Sequence, residues 1–393
     1  MRARPVRACC CVADAQPGRG GGVRVTRLDL RNVRRFEEAS WRPGPGLNVI
    51  TGDNGAGKST VLEALHLMAY GRSFRGRVRD GLIRTGAPAL EVFVEWQQVG
   101  SGTPHAGGGV TRRAGLRHSG ADWSGRIDGA QVSQLGELIA ALAVVTFEPG
   151  SHALVSGSAD TRRRYLDWGL FHVEHEFMPI WRRYSRALKQ RNALLKSRGG
   201  SAQLDAWDHE LATAGEQLSS HREGYLTMLE PAYRQIGRDL VPSLGDVALE
   251  YAPGWRRHEV PLADALLLNR ARDQQAGFTS VGPHRADFRL GFSALPGREA
   301  LSRGQAKLVA LSALLAQAQH LASWCGEWPV IALDDLASEL DHSHQMRVIE
   351  RLGASGAQVL VTGTAVPAAL ASGSSGVVRF HVEHGRIAPA EPA

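Results

Sequence analysis

The residues Gly52-Asp53-Asn54-Gly55-Ala56-Gly57-Lys58-Ser59-Thr60 carry the clearest chemistry in the chain. They fit G-x-x-x-x-G-K-[ST], a loop that cradles nucleotide phosphates. Its glycines reach backbone torsions that other residues resist, so successive N–H groups can turn inward around an anion. Lys58 is expected to bridge the outer phosphate oxygens, and the Ser59 hydroxyl to ligate a Mg²⁺ ion that travels with the nucleotide. Gly46-Leu47-Asn48-Val49-Ile50 predicts a short buried strand leading into the loop. Leu62, Leu65 and Met68 predict a helix leading out, with its positive end aimed at the phosphates. A chance match is expected on the order of 0.006 times in a chain of this length and composition. The spacing therefore predicts a nucleotide site with a Mg²⁺ ion.

Such a loop needs a carboxylate from a neighbouring strand. Val330-Ile331-Ala332-Leu333 predicts a strand buried on both faces, and Asp334-Asp335 emerge at its end, where ligand sites of α/β sheets lie. Asp334 is expected to hold the metal shell and Asp335 to polarise the attacking water. Earlier in the chain, Leu301-Ser302-Arg303-Gly304-Gln305 precedes a helix from Ala306 to His320. Read alone, this is a Ser-capped helix start. It also resembles the signature motif of ABC-type ATPases, which implies that Ser302, Arg303, Gly304 and Gln305 contact nucleotide bound by a second subunit. Leu336-Ala337-Ser338-Glu339-Leu340-Asp341 resembles the D-loop of the same class. Asp335 stands where these ATPases commonly have Glu, and the shorter acid predicts slow hydrolysis. Val361-Thr362-Gly363-Thr364, at the switch position, offers hydroxyls and no histidine.

The elements between these motifs narrow the class. Lys58 and Ser302 are 244 residues apart, which resembles neither the short gap of transporter ATPases nor the long coiled coils of chromosome-organising ones. Phe177 to Lys196 predicts a helix, followed by a break at Ser197-Arg198-Gly199-Gly200-Ser201. Leu204, Trp207, Leu211, Ala214, Leu218, His221 and Tyr225 then alternate by three and four, as a helical seam does. The pair predicts a short antiparallel hairpin with no C-x-x-C at its tip. Val23 to Leu30 and Leu90 to Trp96 alternate like strands, and both are expected in the mixed sheet of the head. Leu138 to Val145 is expected to be a buried strand.

Taken together, the chain resembles the RecF family of bacterial recombination and gap-repair ATPases from about Val23 to Val382. The resemblance rests on Asn32-Val33-Arg34-Arg35-Phe36, Gly71-Arg72-Ser73-Phe74-Arg75, Arg163-Arg164-Tyr165-Leu166-Asp167, Leu188-Lys189-Gln190-Arg191-Asn192 and Gly282-Pro283-His284-Arg285 with Asp287. Ala286 replaces one of the two acids usual in the last motif. The resemblance implies an α/β ABC-type ATPase head, a mixed sheet with a phosphate loop, and an inserted, mostly helical lobe with a short antiparallel helical hairpin. It implies ATP as the nucleotide, an ATP-dependent homodimer on DNA, a slow DNA-dependent ATPase acting as a switch, and service in gap repair, replication and the SOS response. The implied partners are duplex DNA or a single-strand/double-strand junction, bound without regard to sequence, and RecR with RecO for loading RecA. A transporter ATPase subunit and an SMC-like chromosome-organising ATPase stay open as alternatives.

Composition bounds the rest. The chain has 393 residues, 46 Lys+Arg against 39 Asp+Glu, and a net charge of +7. Residues 162–198 hold ten basic side chains against three acids, a local footprint suited to phosphates. Arg162, Arg163, Arg182, Arg183, Arg186, Lys189 and Arg191 are its candidate DNA contacts, although a solvated helix face has the same pattern. No apolar run approaches the ~18–20 residues of a membrane span. The four cysteines suit neither a disulfide framework nor a zinc site, and a cytoplasmic location is expected. Residues 1–22 read as a disordered basic extension, a misassigned start or a nucleic-acid arm. The expected divisions are 1–22, an N-terminal head half at 23–160, a helical lobe at 161–275 and a C-terminal head half at 276–393.

Overall fold

A computed structural model describes residues 22–78, 81–98, 109–197, 201–295, 301–367, 370 and 376–390. The expected extension up to residue 21, and Arg198 of the basic stretch, lie outside these described residues. The strands are β1 (Val23–Val33), β2 (Phe36–Trp41), β3 (Leu47–Thr51), β4 (Leu90–Gln98), β5 (Val110–His118), β6 (Trp123–Ile127), β7 (Ala130–Val132), β8 (Val144–Phe147), β9 (Val247–Ala252), β10 (Asp287–Phe292), β11 (Val330–Leu333), β12 (Val359–Thr362), β13 (Val378–Glu383) and β14 (Arg386–Pro389). The helices are α1 (Lys58–Tyr70), α2 (Leu135–Ala141), α3 (Ala153–Ser156), α4 (Ala159–Val173), α5 (Phe177–Ser197), α6 (Ser201–Leu240), α7 (Leu262–Leu268), α8 (Arg270–Ala276), α9 (Arg303–Cys325), α10 (Leu336–Glu339) and α11 (His342–Ser355).

Hydrophobic pattern sorts twelve of the described strands into two six-stranded sheets, and β9 and β10 pair in a separate antiparallel ribbon. β8, β11 and β12 are buried along their whole length, as strands covered on both faces must be. They join β3 and β13 in a parallel array of order β13-β3-β12-β11-β8, with β14 antiparallel at one edge. The alternating strands β1 and β4 lie instead in a separate antiparallel sheet, β2-β1-β4-β5-β6-β7. This corrects the placement of Val23–Leu30 and Leu90–Trp96 in the mixed sheet. Alternation marks a sheet with one solvated face, whereas the phosphate-loop sheet is covered on both. Gln358 links the two sheets. Its buried amide exchanges bonds of 2.8 and 2.9 Å with the Val25 backbone and donates to the Gly44 carbonyl at 2.7 Å.

Helix α1 is sandwiched between the sheets, and its residues from Thr60 to Ala69 are all buried. Val61, Leu62, Leu65 and Met68 share a core with Val25, Leu28, Val92 and Val94 of one sheet and Ile50, Ala332 and Leu360 of the other. Its polar side chains find partners inside that layer. Arg34 clasps the Glu63 carboxylate with bonds of 2.6 and 2.7 Å, and His66 meets the Thr146 hydroxyl at 3.0 Å.

The predicted strand Leu138–Val145 is half helix: α2 spans Leu135–Ala141, and the strand begins at Val144. Gln134 and Glu137 form a capping box that fixes the helix start. The apolar run spans the end of one element and the start of the next, so its length hid the boundary.

The second core fills the opposite face of the parallel sheet. Val145, Ile331, Leu333 and Val361 pack with Leu308, Leu311 and Leu315 of α9 and with Leu211, Leu218 and Tyr225 of α6. Helix α9 has the length and apolar composition of a membrane span, contrary to the expectation that no such run exists. Most of it is buried among the other elements, which makes it the core helix of this layer. The hairpin is confirmed as α5 paired with α6. α6 runs for 40 residues, well past the end of the seam, to pack beside α9.

The helical segment is locked by buried ion pairs. Arg191, 0% exposed, meets Asp208 at 2.5 Å and Asp273 at 2.7 Å. Arg222 makes a two-pronged contact with Asp167 at 2.8 and 2.9 Å. Arg162, 2% exposed, does the same with Asp287 at 2.5 and 3.0 Å. Arg162 and Arg191 are therefore not surface DNA contacts, because carboxylates distant in sequence take both guanidiniums into the core. Removing one partner of a buried pair strands the other charge. Arg191→Ala should cost about 3–5 kcal/mol in urea denaturation; a loss below about 1 kcal/mol would show that the cluster is not a structural clamp.

Burial, helped by the nearby Arg72 cation, lowers the His66 pKa from 6.5 to about 3. The folded state then refuses a proton that the unfolded chain accepts, so stability is full above pH 6.5 and falls on acidification toward pH 3. One such histidine contributes about 1.4 kcal/mol per pH unit across that window. His66→Gln should flatten the acid limb of a stability-versus-pH curve by about that slope.

Candidate nucleotide site

The phosphate loop leaves β3 at the carboxyl edge of the parallel sheet. Two of its glycines are required by contact as well as by torsion. Gly52 has φ +148°, and a Cβ there would sit 2.3 Å from the Val382 carbonyl oxygen. Gly57 has φ +123°, and a Cβ there would press to 2.8 Å from the Phe36 ring. Phe36 belongs to the Asn32–Phe36 motif, so that hairpin wedges the loop from outside while Arg34 anchors α1 through Glu63. The Lys58 ammonium folds into the loop, donating to the carbonyls of Gly52 at 2.7 Å and Asp53 at 2.9 Å. The loop thus has the glycine-lined concavity and the buried cation that a polyphosphate needs.

The acids arrive from β11. Asp334 is 1% exposed and accepts hydrogen bonds from Thr362 Oγ1, at 2.7 Å, and from the Ser59 hydroxyl. Burial holds its carboxyl above the ordinary range, opposed by those two bonds and the Arg75 guanidinium. Ser59 and Asp334 therefore meet as the hydroxyl and carboxylate that a Mg²⁺ shell uses. Asp335 is half-buried in a left-handed conformation (φ 53°). Its N–H donates to Thr362 Oγ1 at 2.9 Å, and its carboxylate accepts the Ser338 hydroxyl. One hydroxyl on β12 thus fixes both acids.

Several participants escaped the motif search. Thr362 was visible only as a hydroxyl at the switch position; its role depends on β12 lying between β3 and β11. Glu148 follows β8, whose Phe147 pairs with Leu333, so it emerges beside Asp334. Burial raises its pKa, with Asp334 and Glu339 adding to the effect. Its signal was an acid ending a buried strand, the same pattern as Asp334. Lys307, one turn into α9, ion-pairs with Glu339 of the D-loop segment at 2.6 Å.

The signature residues form an exposed helix start. Ser302 caps α9 by accepting from the Gln305 N–H at 3.2 Å, and the Gln305 side chain accepts from the Ser302 N–H at 2.9 Å. Arg303 and Gly304 are exposed, and a Cβ on Gly304 would meet nothing within 4 Å.

The candidate DNA residues separate. Arg162 and Arg191 are buried, Arg163 donates to the Ala286 carbonyl at 2.7 Å, and Arg183 pairs with Glu210. Arg182, Arg186 and Lys189 are exposed on α5.

Two known-protein comparisons decide the family. The family model described as RecF/RecN/SMC N-terminal domain matches residues 24–385. The DNA replication and repair protein RecF of Stenotrophomonas maltophilia is 64% identical over 366 residues, covering 93% of this chain and 99% of that protein. The chain belongs to the RecF family. RecF of Thioalkalivibrio sulfidiphilus is 38% identical over 363 residues, or 92% of this chain and 98% of that one. Among solved structures, the chain is similar to the recombination mediator RecF with ATP, at a TM-score of 0.83 and 23% identity over 95% of this chain and 99% of that one. It is more distantly similar to the Smc head domain of Pyrococcus furiosus, at a TM-score of 0.54 and 15% identity over 94% and 96%. With the family model, these two likenesses show the ABC-like head fold that RecF shares with SMC proteins. Relatedness at this level sets aside the transporter alternative and places the chain with DNA replication and repair proteins.

Thr362→Val keeps the shape of the side chain and removes the hydroxyl that holds both acids. ATP hydrolysis should fall about 10- to 100-fold with KM for ATP changed less, since a misplaced acid acts mainly on the chemical step. Steady-state kinetics beside a thermal melt would test this, and an unchanged kcat would refute it.

Proposed function

We propose that the chain is an ATP-dependent DNA-binding switch of recombinational gap repair, DNA replication and the SOS response. The observation that carries this reading is the pairing of two half-sites. Lys58, Ser59, Asp334 and Asp335 converge at one edge of the sheet, while the signature helix presents Ser302 and its first N–H groups to solvent.

ATP binds with its phosphates in the Gly52–Thr60 loop and against Lys58. Ser59 and Asp334 would hold Mg²⁺, which supplies charge neutralisation and orientation of the phosphates. Asp335 orients a water whose oxygen attacks the γ-phosphorus. The bond from that phosphorus to the β-phosphate oxygen breaks, and the water's proton passes toward the carboxylate. Turnover is slow, because a short carboxylate held by the Ser338 hydroxyl, on a backbone fixed by Thr362, reaches less far than a glutamate would. Ser302, Arg303, Gly304 and Gln305 engage the γ-phosphate held by a second copy, so ATP joins two heads and hydrolysis releases them. The closed dimer grips DNA through exposed arm cations, independently of sequence, at duplex or a single-strand/double-strand junction. By family resemblance, RecR with RecO is recruited for RecA loading in the cytoplasm.

Sedimentation velocity tests the switch directly. Wild-type protein should shift from monomer to dimer with ATP and Mg²⁺. Ser302→Arg, which fills the signature face, should stay monomeric while retaining ATP. Equal monomer fractions with and without ATP, or a Ser302→Arg variant that dimerises normally, would count against it.

A further inference from the structure

The arm carries a groove that sets two of its exposed cations beside an aromatic ring, which backbone gripping alone does not use. It encloses about 570 Å³ between α5 and α6 and is lined by Arg182, Arg183, Arg186, Ala206, Trp207 and Glu210. Arg183 and Glu210 neutralise one another in an ion pair. Arg182 and Arg186 are exposed and, among the described residues, have no acidic partner within ion-pair distance. Four residues apart, they lie on one face of α5, about 6 Å apart along its axis. Trp207 of α6 lines the same groove, half-buried and packed against the hydrophobic cluster. Trp41, Trp168, Trp181 and Trp324 each meet another ring, and Trp96 and Trp255 each meet a guanidinium. Trp207, like Trp123 and Trp328, has no such neighbour among the described residues, and it is the one that lines this cationic groove.

We infer that this groove binds single-stranded DNA, with one unpaired base stacked on the Trp207 indole and the adjoining phosphates on Arg182 and Arg186. The inference rests on the DNA-binding reading and narrows it. A duplex presents phosphates to the arginines but keeps its bases stacked inside, so an indole contributes nothing to gripping it. A single strand offers both a phosphate and a free π-face, which is the pairing used by sequence-tolerant single-strand sites. The charge balance suits it as well: two cations outside any ion pair among the described residues, beside one aromatic plane, match a nucleotide carrying one phosphate on each side.

The test uses the full chain and three fluorescent probes of equal length: an oligothymidylate, an abasic strand and a blunt duplex. Wild type should bind the oligothymidylate more tightly than the abasic strand. Trp207→Ala should weaken oligothymidylate binding roughly 5- to 150-fold and leave duplex binding within about two-fold, while Trp207→Phe restores most of the affinity. The Arg182→Ala/Arg186→Ala pair should weaken binding of all three probes and reduce the single-strand salt slope by about 1.4. Thermal unfolding and ATP binding, measured on each preparation, separate a folding defect from a lost contact. An oligothymidylate-to-abasic ratio that Trp207→Ala leaves unchanged would overturn the stacking site while the DNA reading stands. Failure of the wild-type protein to bind any of the three probes would overturn that reading itself.

Discussion

The parallel pairing of β3 with β12 is the contact on which the rest of the site depends. It joins Leu47 to Val359 and Ile50 to Thr362, bringing together segments more than three hundred residues apart. Once β12 lies between β3 and β11, the phosphate loop, the Thr362 hydroxyl and the paired acids share one edge. Gln358, immediately before β12, ties the same strand to the antiparallel sheet. A buried amide with all these bonds made favours one register, because a slip would leave it unpaired inside the core.

The segments that mark the RecF family are largely structural. Asn32–Phe36 wedges Gly57 and anchors Glu63. Asp167 is held by Arg222, Asp287 by Arg162, and Asn192 accepts from the Thr279 backbone and hydroxyl. Tyr165 donates to the Ala313 carbonyl at 2.7 Å, linking α4 to the signature helix. These contacts fasten the helical segment to the elements beneath it. Its residues share one hydrophobic core with the far face of the parallel sheet, so a change at the nucleotide edge meets a stiff lever rather than a flexible tether. The Lys307–Glu339 pair adds a direct bond between the signature helix and the segment after the acids.

Charge on the arm was the least transferable part of the sequence reading. Ten basic residues against three acids suggested a uniform phosphate track, yet several of those bases are committed to carboxylates outside the window. Asp208, Glu210, Asp273, Asp287 and Asp160 take up Arg191, Arg183, Arg162 and Arg164. Among the described residues the remaining exposed cations are Arg182, Arg186, Lys189 and Lys196, and the first two sit beside an aromatic ring. A linear count of charge cannot distinguish a solvated cation from one half of a buried pair.

The nucleotide half-site was legible from the chain alone because its chemistry is local. Glycine torsions, a lysine and a hydroxyl at fixed spacing are set within nine residues, and a strand ending in two acids needs only its own hydrophobic run. The hairpin seam was legible for the same reason, since its period lies within single helices. Tertiary structure decided everything that depended on a distant partner. It assigned the alternating strands to a second sheet, divided the Leu138–Val145 run between helix and strand, and buried an apolar helix that would otherwise pass for a membrane span. It also made Thr362 the common support of Asp334 and Asp335, and removed Arg162 and Arg191 from the surface. In each case the local pattern permitted more than one environment, and long-range packing and desolvation chose between them.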